Sequence, residues 1–304
     1  MSSTNTGTPT PKSITAPGLL KQKQQGRKIV SLTCYDYTTA RLLDDAGVDI
    51  LLVGDSLAMT VLGYPDTVSV TMEEMLHHAR AVSRGTSRSL VVADMPFMSY
   101  QLSTHQAVEN AGRFMQEARV SAVKLEGASP MVLDGIRHMT AIGIPVMGHL
   151  GFTPQSVHTI GGFKVQGKSL KDAKTLLEDA QKLQDAGVFA LVLEMVPVEV
   201  AAMVTSQLDI PTIGIGSGNN CDGQILVVDD VLGRYPDLSP RFVRRYLESD
   251  VLIKEAIQAF RQDIETGAFP NNETEAFGFP SDLLPSLGDT GRSENTDQTP
   301  QPVS

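Results

Sequence analysis

Cysteine is scarce in this chain of 304 residues: Cys34 and Cys221 are too few for a disulfide framework and match no metal-ligand spacing, so both read as reduced, buried thiols. No apolar run approaches the ~20 residues needed to cross a bilayer. The first fifteen residues carry neither the hydrophobic core of a secretory signal nor the arginine-bearing amphipathic face of a transit peptide, so the cytoplasm is the expected compartment. Excess positive charge is missing too. A formal charge of -10 argues against nucleic acid and anionic membrane as partners. Five basic residues and no acid precede Ile29, while six acids against Arg292 alone follow Gly267, so the ends cancel and the deficit lies on the body.

What the chain does have is a repeated event. Asp49 to Met59 reads DILLVGDSLAM, an apolar run that stops at Asp55 and Ser56. Leu90 to Ala93 ends in Asp94, Ala122 to Leu125 brackets Lys124 and ends in Glu126, Ile144 to Met147 leads to His149, and Phe189 to Leu193 ends in Glu194. Four consecutive apolar residues fit a strand buried on both faces, as in a parallel sheet covered by helices. Strands at about 29–34, 49–54, 90–93, 121–125, 144–148, 189–193, 211–215 and 224–228 alternate with apolar stripes of helical spacing. That pattern predicts an α/β fold, a TIM (β/α)8 barrel. Only Gly216 to Gly223 separate the last two strands, too little for a crossover helix, so the closing unit is expected to be irregular.

Other local signals agree. Asp-Ala-Gly-Val occurs twice, at Asp45 to Val48 and Asp185 to Val188, each where a helix hands over to a strand, and Thr71 with Glu74 has capping-box spacing. Pro17 to Gln25 predicts a short helix and Arg241 to Thr266 a C-terminal helical region. Residues 1–15 read as a disordered extension, 16–278 as a single catalytic domain and 279–304 as a disordered acidic tail. Gly151 to Lys168 has no apolar period and follows a strand, which suits a mobile lid, a substrate-contacting loop or a passive surface loop.

In a parallel barrel all strand C-termini share one mouth, so these scattered polar residues would converge. Asp55, Asp94 and Glu126 supply hard oxygen ligands without clustered Cys or His, which favours Mg²⁺ over Zn²⁺. A lone acid at such a place is more often a helix cap, but three at successive strand ends shift the balance toward function. Lys124 and Glu126, two apart on a strand, point the same way, either toward an anionic substrate or into a structural ion pair. Glu194 lies in VLEMVP, whose apolar neighbours would disfavour its charged form and suit a proton acceptor. Ser56 reads as a helix cap before a ligand contact, and His149 as a structural histidine before a catalytic one. GIGSGNN, Gly214 to Asn220, resembles late-barrel phosphate loops, although barrel closure also needs glycine.

The segments VGDSLAMTVLGYPDT, ADMPFMSY, VKLEG, GHLGFTPQSVHTIGGFKVQGK, LVLEMVPVEVA and IGIGSGNNCDGQILVVDDVLG resemble the ketopantoate hydroxymethyltransferase family from about residue 16 to 278. The resemblance implies a TIM barrel related to phosphoenolpyruvate mutase and isocitrate lyase, with an irregular closure. It implies transfer of a one-carbon unit from 5,10-methylenetetrahydrofolate to 3-methyl-2-oxobutanoate, giving 2-dehydropantoate on the way to pantothenate. It also implies Mg²⁺ held by Asp55, Asp94 and Glu126, the last directly or through water. Substrate contacts fall on Asp55, Ser56, Asp94 and Lys124, the general base on Glu194, and His149 stands beside them. A homodecamer is the expected assembly. The rival enzyme reading, a carbon–carbon lyase of the isocitrate lyase group, would carry a KKCGH-like loop, which this sequence lacks. The other rival is a non-catalytic barrel serving as a binding or assembly module.

Overall fold

The computed structural model describes residues 13–162, 164–235 and 240–285. The expected N-terminal extension and acidic tail lie largely outside these residues. Contacts divide the chain at residues 249 and 250 into two units. The first holds the barrel, and the second holds most of one helix and the segment after it.

Eight strands pair in parallel and close in sequence order: β1 Ile29–Thr33, β2 Ile50–Val53, β3 Leu90–Asp94, β4 Ala122–Glu126, β5 Val146–Gly151, β6 Ala190–Glu194, β7 Thr212–Ile215 and β8 Gly223–Leu226, which returns to β1. The predicted TIM barrel is therefore present. Helices α1 Ala16–Gln24, α2 Tyr37–Asp45, α3 Leu57–Thr60, α4 Met72–Gly85, α5 Thr104–Arg113, α6 Pro130–Ala141, α7 Val157–Ile160, α8 Leu170–Ala186, α9 Val198–Gln207 and α10 Val228–Val231 complete the first unit. No helix is described between β7 and β8, so the closing unit is irregular as expected. Helix α11 Ser249–Thr266 begins later than the predicted Arg241. No described helix is long and apolar enough to cross a membrane.

Side-chain alternation divides the core in two. Ile29, Ile50, Leu52, Leu90, Val92, Ala122, Met147, Ala190, Val192, Ile213 and Ile225 pack together inside the barrel. Their strand neighbours, among them Leu51, Val91, Val123 and Leu191, join the layer beneath the helices with Leu76, Ala79, Ile136 and Leu183. Leu19 of α1 is fully buried with the interior set, so α1 stops the strand N-terminal end. Lys23 fastens that stopper by donating to the carbonyls of Thr205, Leu208 and Ile210 and pairing with Asp222 at 3.0 Å.

Local chemistry sets the boundaries. Thr71 and Glu74 form the predicted capping box of α4. In both Asp-Ala-Gly-Val copies the glycine, Gly47 and Gly187, takes the left-handed conformation that ends a helix, with φ of 87° and 99°. Cys34 and Cys221 are free and buried, and burial pushes the Cys34 thiol up to about 12, too high for easy reactivity.

Candidate active site

The alternation that fills the barrel interior also carries polar groups to its mouth. On β3 the inward series Leu90, Val92 continues to Asp94, on β4 Ala122 continues to Lys124 and Glu126, on β5 Met147 continues to His149, and on β6 Ala190 and Val192 continue to Glu194. Asp55 follows β2 by two residues. Asp55, Asp94, Lys124, Glu126 and His149 are all buried.

None of the three acids is spent on capping. Ser103 caps α5, Ser129 caps α6, and the position before α3 belongs to Ser56, whose side chain makes no cap bond. Ser56 thus departs from the capping expectation, and its hydroxyl instead lies 2.8 Å from that of Tyr35.

Acids outnumber lysine here. Lys124 Nζ pairs with Asp94 Oδ1 at 2.5 Å, and Asp94 Oδ2 accepts from the Asp55 amide at 3.0 Å. Burial, then the negative charges of Asp94 and Glu126, push the Asp55 carboxyl well above the usual range, while Lys124 and Gln155 oppose them. Burial alone would lower Lys124, but the surrounding carboxylates outweigh it and hold the ammonium charged.

His149 bridges the acids across the mouth, with Nδ1 3.3 Å from Glu126 Oε1 and Nε2 3.3 Å from Glu194 Oε2. These contacts are close enough for charge attraction but are not aligned as hydrogen bonds, so both ring nitrogens and Glu126 Oε1 lack a hydrogen-bond partner. Burial and Lys124 push the imidazole down, but Glu126 and Glu194 prevail and raise it to about 9. Glu194 is not enclosed by the apolar residues around it in sequence: its side chain keeps 15% exposure and faces His149. The next residue, Met195, sits at φ 50°, a left-handed strain of about 1–2 kcal/mol for a non-glycine residue. Gly151 is needed opposite, because a Cβ there would lie 2.1 Å from the Glu194 carbonyl oxygen.

Two site residues escape sequence reasoning. Gln155 comes from the aperiodic stretch after β5, a short 3₁₀ turn at Pro154–Ser156, and Tyr100 from the loop after β3. Gln155 donates to Asp55 Oδ2 at 2.9 Å from its side chain and to Glu126 Oε2 at 3.1 Å from its backbone. Tyr100 donates its hydroxyl to Gln155 Oε1 at 2.8 Å. Their one sequence signal is a place inside the family-like blocks ADMPFMSY and GHLGFTPQSVH. A cavity of about 240 Å³ opens against Glu126 and Gln155, walled by Phe97, Tyr100 and Val132. In the glycine-rich stretch at 214–220, Ser217 Oγ donates to the Leu193 carbonyl and accepts from the Val196 amide, tying the stretch to the end of β6.

Comparison with known proteins gives this mouth its context. A family model for ketopantoate hydroxymethyltransferase matches residues 13–272. The chain belongs to the ketopantoate hydroxymethyltransferase family. All eight strands and every mouth residue described above fall inside the matched region. The chain is 54% identical over 271 residues to a 3-methyl-2-oxobutanoate hydroxymethyltransferase of Carboxydothermus hydrogenoformans, covering 89% of this chain and 98% of that one. A second relative of that name, from Syntrophobacter fumaroxidans, is 54% identical over 86% of this chain and 92% of its own length. Among solved structures, 2,3-dimethylmalate lyase, a PEP mutase/isocitrate lyase superfamily member, aligns with a TM-score of 0.53 at 17% identity over 91% of this chain and 94% of the lyase. At that identity the likeness shows the fold alone.

Proposed function

We propose that the chain transfers a hydroxymethyl group from 5,10-methylenetetrahydrofolate to 3-methyl-2-oxobutanoate, giving 2-dehydropantoate in the pathway to pantothenate. The observation that carries this reading is the excess of buried acid at one mouth, inside a chain about half identical to enzymes of that name.

The residues present fit a divalent cation. The Asp55 carboxyl is crowded by the like charges of Asp94 and Glu126, which added positive charge would relieve, and the nearby Glu126 Oε1 is buried without a hydrogen-bond partner, facing His149 Nδ1 at 3.3 Å. Among the described residues no group of three or more His, Cys, Asp or Glu side chains is arranged to hold a metal ion. Mg²⁺ does not require one, since it usually takes one or two carboxylates and leaves other positions to water and substrate. Asp55 and Asp94 would hold it, with Glu126 reaching it directly or through water. When bound, Mg²⁺ supplies Lewis-acid polarisation of the keto acid.

The chain's own groups do the rest. Lys124, held charged, offers the substrate anion a cation in a dry site, and the Ser56 hydroxyl stands at the same mouth. Glu194 takes the C3 proton of the keto acid, with His149 beside its Oε2; the carbon so freed bonds to the one-carbon unit, whose two C–N bonds to the folate break, with one water supplying the hydroxyl oxygen and tetrahydrofolate leaving. A homo-oligomer, expected as a decamer, and a cytoplasmic setting accompany this reading on the strength of family membership.

The test is folate-dependent turnover of 3-methyl-2-oxobutanoate, joined to exchange of its C3 proton with solvent. Glu194→Gln is expected to slow exchange by about 10²-fold or more while keto acid binding stays near the wild-type level. Rapid exchange in that variant would remove Glu194 from the base role, and cleavage of methylisocitrate by the wild type would favour the lyase reading.

A further inference from the structure

We infer that Gln155 is a positioning residue that fixes the distance between Asp55 and Glu126. This rests on the function proposed above and assigns a role to a side chain that the reading of the acids leaves unused. Asp55 follows β2 and Glu126 ends β4, so β3 lies between them and no strand pairing links the two directly. Gln155 spans the gap with one side-chain and one backbone donor, to Asp55 Oδ2 at 2.9 Å and Glu126 Oε2 at 3.1 Å.

Its amide is fully used. The second Nε2 hydrogen goes to the Met95 carbonyl at 2.9 Å, and Oε1 accepts from Tyr100 Oη at 2.8 Å and from Gln101 Nε2 at 3.1 Å. Two donors and two acceptor lone pairs are all an amide has, and all are matched. The orientation is also forced. A flipped amide would turn its oxygen toward the Met95 carbonyl and the Asp55 carboxylate, and its NH₂ toward the Gln101 amide.

Charge explains why an amide suits the place. Asp94 already has Lys124, and a second cation at Asp55 would compete with a bound metal for the same carboxylate. A neutral donor orients Asp55 without neutralising it. Gln155 also ties the segment after β5 to the acids, so the seating of that segment and the spacing of Asp55 and Glu126 are one feature. Groups that orient metal-binding carboxylates typically contribute about 10–100-fold in affinity or activity.

Mg²⁺ titrated by calorimetry into wild type, Gln155→Met and Gln155→Asn, each with 3-methyl-2-oxobutanoate, tests this, with thermal melts confirming folding. Gln155→Met keeps the volume and removes every side-chain donor. Gln155→Asn keeps the amide on a stem one methylene too short to span. The dissociation constant for Mg²⁺ is expected to rise about tenfold or more for Gln155→Met and at least about fivefold for Gln155→Asn. A folded variant that binds Mg²⁺ with less than about a fivefold loss overturns the inference. Should Gln155→Met fail to fold, Gln155→Asn decides by the same threshold. Failure of the wild type to bind Mg²⁺ would instead overturn the proposed function, so the two outcomes are distinct.

Discussion

At the N-terminal ends of the strands Asp44 is buried among donors: the amides of Ser87, Arg88 and Ser89 and the hydroxyls of Ser87 and Ser89 all point at its carboxylate. At the C-terminal ends Asp55 is equally buried but meets Asp94 and Glu126, with Lys124 already paired to Asp94. One residue type in one barrel is thus driven in opposite directions. Burial raises both carboxyls, but the serine donors overturn it at Asp44 and bring it to about 2, whereas neighbouring acids reinforce it at Asp55. The donor-rich end gains stability from its acid. The acid-rich end gives up stability to crowd its carboxyls together, a trade expected of functional sites.

The largest break in that comparison comes from Asp55→Asn. On the proposed function, removing this carboxylate should cost turnover about 10³-fold, since a contact to the proposed metal would be worth several kcal/mol of transition-state stabilisation. The metal-free variant should nevertheless melt no lower than the wild type. A fall of more than about 4 °C would show that Asp55 stabilises the fold after all.

Asp44→Ala should do the reverse. Four donors would be left facing a cavity, the Ser89 hydroxyl keeping the Val48 carbonyl as acceptor, for a destabilisation of about 3 kcal/mol by urea denaturation, with kcat per folded molecule unchanged. A loss below about 1 kcal/mol would mean that water replaces the carboxylate at no cost.

Sequence reading reaches the two ends unequally. Eight buried parallel strands leave eight apolar runs, and a side-chain period of two carries Asp94, Lys124, Glu126, His149 and Glu194 inward, so barrel and acids are legible. The apolar run puts β5 at 144–148, whereas the strand runs Val146–Gly151, because its last residues line a polar mouth and break the run. The surroundings of Glu194 differ from expectation for a related reason. Leu193 alternates away from it and its carboxylate faces His149, so the apolarity of the surrounding sequence does not describe what it meets. Gln155 is out of reach: it meets Asp55 across 100 positions of sequence, from a segment without a period. Asp44 gives no sign either, since its donors come from a loop more than forty positions away.

The smallest effect, and the sharpest, is in acid. Asp44 has a folded pKa lowered from 3.8 to about 2, so its contribution is present in full well above 3.8 and is lost as pH falls through that value toward the folded one. The amount is about 2 kcal/mol. Asp230, raised from 3.8 to about 6 by burial and by Asp229 against the opposing Arg245, has the opposite sign: its favourable term exists below 3.8 and disappears as pH rises through about 6. Asp55, raised as well, follows Asp230 in sign. Total stability therefore mixes both slopes, and only a difference between proteins isolates one group. Wild type minus Asp44→Asn, followed by urea denaturation, should hold steady near neutrality and shrink by about 2 kcal/mol as pH falls through the Asp44 window. A gap that stays constant into strong acid would mean that the serine donors stabilise the protonated carboxyl as well as the charged one, and the contrast between the two ends would then reduce to burial.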